Sequence, residues 1–193
     1  MSGYVIIHPV FNQCFLTTEH PEGQLEYLGD AIGRDFMVAK FFNGFLRPYL
    51  NDGKRNEDWF SYKAGVLAPC EAIVEKIQIN SVENTPGSHA NKPAQCIVFR
   101  RKDDVRIAYA HVMDIHVEVN DKVEAGQIIA KCGNNGTSWN PHIHVGAWKG
   151  NQPLQIIVDL QAYGKIEKEQ GDRFTFLEDD EESKRKVKES FKR

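Results

Sequence analysis

Several classes of protein are excluded by what this chain has little of. Neither sign of charge dominates: 24 Lys and Arg against 27 Asp and Glu leave a net charge of -3. There is therefore no basic footprint for nucleic acid and no polyanion mimicry. No apolar run approaches the length of a membrane span. Cysteine is sparse, with only Cys14, Cys70, Cys96 and Cys132 and no close pair among them, which argues against a zinc knuckle or a disulfide framework. The opening residues, MSGYVIIHPV, lack the basic region, long apolar stretch and small-residue cleavage site of a signal peptide. As written the chain reads as cytoplasmic; a leader on a longer chain would make it secreted or periplasmic.

What is present suits one soluble domain with appendages. The chain has 193 residues, 41% hydrophobic and 26% charged, enough to bury a core without disulfides. Fifteen Gly and eight Pro supply many turns. Short runs with period-two alternation predict strands: Tyr4 to Val10, Phe11 to Thr18, Arg34 to Ala39, Ile73 to Ile79, Gln95 to Arg100, Val105 to Val112, Gln127 to Cys132 and His142 to Trp148. Asp103-Asp104 reads as the turn of a hairpin, His20 to Gly23 as another turn, and Phe41 to Lys63 as an insertion with little regular structure. Pro153 to Leu160 fits a helical turn or a strand, and Arg173 to Leu177 a last small strand. The fold class is mostly β, an antiparallel sandwich or rolled sheet with little helix before residue 150. The main domain spans 1–160 with its core at 65–150, followed by an extension at 161–177. A solvated tail of clustered opposite charges, flexible or fraying as a helix, fills 178–193.

The residues that suggest chemistry lie on these strands. Alternation puts His142, His144, Gly146 and Trp148 on one face and Ile143, Val145 and Ala147 on the other. The histidine face is thus the one turned from the main core. Tyr109 and His111 share a face of the preceding strand by the same rule. If the two strands pair, three histidines converge. Asp35 sits in an apolar setting, where a carboxylate needs a partner or a metal. Asp and His ligands with an open position suit catalytic zinc.

Together these segments resemble the zinc metallopeptidases of peptidase family M23, the LytM and lysostaphin type, with a duplicated hybrid motif fold. The resemblance is carried by Gly65-Val66-Leu67-Ala68-Pro69 with Ala72-Ile73-Val74, by Tyr109-Ala110-His111-Val112, and by Val119 to Gln127. It is completed by Gly133-Asn134-Asn135-Gly136 followed by Pro141-His142-Ile143-His144-Val145. It implies His144 and Asp35 as zinc ligands and His111 and His142 as catalytic histidines. The family's first ligand, four residues before the aspartate, falls on Ala31. A third ligand must then come from elsewhere, with Asp30 and His20 the candidates. The implied substrate is a peptide, peptidoglycan-type in most of the family, and the implied reaction is hydrolysis by metal-activated water. Tyr109 or the loop Asn84 to Pro93 is placed to help bind it. The competing expectation is a non-catalytic binding or regulatory relative with a degenerate metal site. A lipoyl- or biotin-carrier lacks support, because no Met-Lys-Met attachment turn is present.

Overall fold

The computed structural model describes residues 3–20, 31–42, 44–177 and 180–190. Pro21 to Gly23 of the expected turn, Asp30 and the last three residues lie outside them. The chain is mostly β, as expected. Its main sheet runs β1 (Gly3–Ile7), β14 (Gln152–Val158), β13 (Ile143–Lys149), β9 (Val105–Ala110), β8 (Cys96–Arg100), β7 (Ala72–Gln78) and β11 (Lys122–Val123). The strands β2 (Phe15–His20) and β3 (Gly33–Val38) join this sheet through β13. A smaller sheet holds β10 (Val112–Met113), β12 (Ile128–Cys132) and β6 (Gly65–Leu67). The pair β4 (Lys40–Phe42) and β5 (Phe45–Arg47) forms a third.

Pairing is antiparallel except for β1, which runs parallel to β14 in the register Val5↔Ile156. No hairpin links these two strands, so nothing forces them antiparallel. The core takes in Ile143 and Val145 as the alternation predicts, and Tyr109 against it. Phe36, Val38, Ile97, Phe99, Ile107, Tyr109, Ile143 and Val145 are all fully buried in one cluster. On the opposite face of the same strands, Cys96, Val98, Ala108, Ala110 and Trp148 make a second, smaller cluster. Burial on both faces explains why β8 and β9 carry few polar residues.

Two expectations about the middle of the chain change. The strand after the Asp103-Asp104 turn stops at Ala110, not Val112. His111 adopts a left-handed backbone, φ 66°, and the chain then leaves the main sheet to pair with β12 as β10. The segment Arg173 to Leu177 is no strand: residues Gly171–Phe174 form a 3-10 turn, and Phe176 makes a lone bridge to Phe41. That turn follows α1 (Leu160–Gln170), whose first turn is capped by the Asp159 carboxylate accepting from Gln161 N and Ala162 N. The buried Lys40 ammonium holds this extension against the sheet, donating to the carbonyls of Arg173 and Phe174. A second helix, α2 (Glu181–Ser190), occupies most of the charged tail, with Ser183 buried. Among the described residues, no helix is long and apolar enough to cross a membrane.

Candidate functional site

The site is built on β13 and the strands that flank it. His144 lies opposite Asp35 of β3 on one side and Ala110 of β9 on the other. Asp35 lies opposite Thr18 of β2, and His20 opposite Gly33. Period two therefore places His20, Gly33, Asp35 and His144 on one face. Gly33 has a specific reason to be glycine: a Cβ there would stand 2.3 Å from His144 Cε1. The missing side chain leaves the space that the imidazole fills.

Asp35 is the hub. Its Oδ2 meets His20 Nε2 at 2.7 Å, and its Oδ1 meets His144 Nδ1 at 2.9 Å. His142 Nε2 stands 3.4 Å from Oδ2. Burial alone would raise the carboxyl's pKa. The hydrogen bonds from His144 and His20 and the nearby imidazoles outweigh it and hold the group well below the usual carboxylate range. His20, Asp35 and His144 each offer one ligand atom, and these atoms all lie within 4.8 Å of one another. Two imidazoles and a carboxylate are a donor set suited to zinc.

Beside this trio stand two further imidazoles. The rings of His111 and His142 lie 4.6 Å apart between centroids, and those of His111 and His144 6.4 Å. His111 Nδ1 is 2.8 Å from Asn135 O, and His142 Nδ1 is 2.7 Å from Asn140 O. A carbonyl only accepts, so each Nδ1 carries the proton and each Nε2 keeps a lone pair. Both Nε2 atoms are buried without a hydrogen-bond partner. Burial pushes both imidazole pKa values down, that of His111 well below 6.5, with neighbouring histidines adding to the effect. Burial therefore favours the neutral form of both rings, with the Nε2 lone pair directed away from the Nδ1 carbonyl partner.

The structure brings together all four residues expected from the sequence, Asp35, His111, His142 and His144. Ala31 is exposed and His20 occupies the place beside Asp35, while Asp30 lies outside the described residues. One expectation about orientation fails: Tyr109 and His111 do not share a face. Tyr109 is fully buried in the core cluster, so it does not line the site. The left-handed turn at His111 breaks the alternation and swings its ring toward His142. Of the tryptophans near the site, Trp148 is buried and Trp139 exposed, the latter edge-on to His89 at 4.5 Å. Sequence motifs single out neither Gly33 nor Asn135 as a site residue, since each acts through close approach or a backbone carbonyl.

Comparisons with known proteins bear on the family and the fold. The family model described as Peptidase family M23 matches residues 60–156, half of the chain. No curated protein sequence matches. Among solved structures, the catalytic domain of a point mutant of the prophage-encoded M23 protein EnpA from Enterococcus faecalis is similar at 20% identity and a TM-score of 0.50. The alignment covers 77% of this chain and 93% of that one. A zinc-containing peptidase from Vibrio cholerae aligns at 18% identity and a TM-score of 0.47, over 76% of this chain and 37% of that one. The antimicrobial peptidase lysostaphin from Staphylococcus simulans aligns at 17% and 0.47, over 89% and 59%. The chain thus spans nearly all of the EnpA domain but little more than a third of the Vibrio cholerae chain. By the family match and by its fold, the chain belongs to peptidase family M23.

Proposed function

We propose that this protein is a zinc-dependent peptidase in which His20 replaces the ligand missing at Ala31. The observation that carries the proposal is the pair of buried, unpartnered Nε2 atoms of His111 and His142 beside a His/Asp/His ligand set. Orphaned buried polar atoms cost free energy, commonly about 1–3 kcal/mol each. A plain scaffold has no use for two of them facing three potential ligands.

His20, Asp35 and His144 would hold the ion. When bound, zinc supplies an acidified water and polarises the scissile carbonyl. The remaining steps belong to the chain's own residues. One ring of the His111 and His142 pair accepts the proton of the attacking water at Nε2 and returns it to the amine nitrogen as the C–N bond breaks. The other can donate to the carbonyl oxygen as negative charge grows there only as an imidazolium, taking a second proton at Nε2 from solvent while Nδ1 keeps its own. The carbonyls of Asn135 and Asn140 hold each ring in the tautomer that leaves Nε2 free. Gly33 leaves room for His144, and Asp35 aligns both His20 and His144.

Family membership supports a peptide as the substrate class, with peptidoglycan cross-bridges the first to try. The exposed Trp139, in the loop leading to His142, is available to pack against such a chain. The test compares zinc-loaded and chelated protein on glycine-rich peptides and purified peptidoglycan, following new amine groups. Metal-dependent release, reduced about 10²–10⁴-fold in His111→Ala, is expected. A protein that binds zinc yet releases no amine from any peptide would instead be a non-catalytic member of the family.

A further inference from the structure

We propose that Asn84 is a positioning residue for both His111 and His142. The inference rests on the peptidase reading but is tested separately from it. The carbonyls that orient the two rings belong to the segment 134–140, which forms no strand of any sheet. Without a backbone ladder, the placement of these carbonyls depends on whatever else the segment bonds to. Gly87 N donates to Trp139 O at 2.9 Å and Glu83 makes a lone bridge to Asn135, but Asn84, itself buried, supplies the side-chain bonds at the centre of the segment. Its Nδ2 donates to Gly136 O at 2.8 Å and to Ser138 O at 2.9 Å, and its backbone N donates to Asn134 O at 2.7 Å. The two gripped carbonyls lie between the acceptors of His111 and His142. Asn84 thereby ties together the stretch between them from its middle.

The surroundings leave the segment little slack. Gly136 has φ 65°, and a Cβ on it would stand 2.5 Å from Ala94 Cα. Asn135 Oδ1 accepts from Gln95 N, and its Nδ2 donates to Val112 O, next to His111. Ser138 Oγ donates to Asn140 O, the carbonyl that His142 uses. Asn84 is backed in turn by Asn56 of the insertion, whose Nδ2 donates to Asn84 O and whose Oδ1 accepts from Asn134 Nδ2. The insertion thereby props the segment that aims the histidines. The candidate metal ligands are neighbours of these rings, His142 Nε2 standing 3.4 Å from Asp35 Oδ2, but they are held by the ladders of β2, β3 and β13 rather than by the segment 134–140. Loosening Asn84 should therefore disturb the proton-handling rings and spare the ion.

The test uses the full zinc-loaded chain with Asn84→Asp, which turns the donating amide into a carboxylate oxygen facing two carbonyls, and Asn84→Ser as a second variant. Asn80→Ala is the control, because among the described residues the Asn80 side chain bonds to Pro93 O and Val82 N and not to the segment 134–140. Three quantities are measured: zinc content, the split of kcat and KM, and the tautomers of the imidazoles by nitrogen-15 NMR. The expected result is a fall in kcat of about 10–100-fold with zinc content and KM within twofold. In the same variants His111 and His142 no longer show a single Nδ1–H tautomer, and Asn80→Ala behaves as wild type. Unchanged tautomers in folded variants overturn the proposal, as do zinc loss in step with kcat or failure of both variants to fold. The tautomers are read without turnover. If the wild type cleaves nothing, the peptidase reading fails while the positioning claim is still decided by NMR.

Discussion

A single methyl group decides whether His144 can occupy its place. Gly33 has an ordinary backbone, so Gly33→Ala meets no conformational barrier, only the His144 ring 2.3 Å from the new Cβ. The substitution is expected to destabilise the protein by about 1–3 kcal/mol and to weaken zinc binding by about tenfold or more. Calorimetric titration with zinc and thermal denaturation check it. His111 and His142 make a second claim at this scale. Both have folded pKa values below their unfolded value of 6.5, so the unfolded chain binds more protons. For the metal-free protein, stability should be level above about pH 7 and fall as pH drops through 6.5 toward the folded values. Asp35, also depressed, adds a further loss below its unfolded value of 3.8. Urea midpoints in the presence of a chelator at descending pH read this directly. A midpoint that holds or rises on acidification would show that the two rings are not buried neutral.

The third candidate ligand arrives through strand pairing. His20 and Asp35 are 15 residues apart, and only the β2–β3 register, with His20 opposite Gly33, sets them side by side. Local spacing could show that Ala31 is not a ligand but could not choose between His20 and Asp30, because that choice lies in a long-range pairing. By contrast, His142 and His144 were legible from alternation alone, and the hairpin from its Asp103-Asp104 turn. The face of His111 was not, since its left-handed φ is a property of one residue at the junction of β9 and β10. The extension after β14 was equally hidden, because Lys40 holds it by carbonyls more than 130 residues away. Lys40→Ala should leave the Arg173 carbonyl without its donor and cost about 1–3 kcal/mol. Limited trypsin digestion should then cut earlier within residues 160–177. An unchanged digestion pattern would show that the apolar contacts of Ile166 and Phe174 hold the extension without it.

At the scale of the whole molecule, the ligand set joins segments distant in sequence: β2 and β3 near the start and β13 near the end. An ion held by all three ties these strands in the folded state and has no equivalent site in the unfolded chain. Zinc at a hundred times its Kd should therefore stabilise the fold by about 2.7 kcal/mol, seen as a rise in Tm that a chelator reverses. The core beneath the site, with Phe36, Ile143 and Val145 fully buried, contains none of the candidate ligands, so the metal-free chain should still unfold cooperatively. The proposed function stands or falls on the candidate ligand drawn from β2, His20. The most direct test is the zinc content, by elemental analysis, of the wild type beside His20→Ala and His144→Ala, each checked for folding. The account predicts close to one zinc per wild-type chain and almost none in either variant. Full zinc in folded His20→Ala, or none in the wild type after zinc is added, would contradict it.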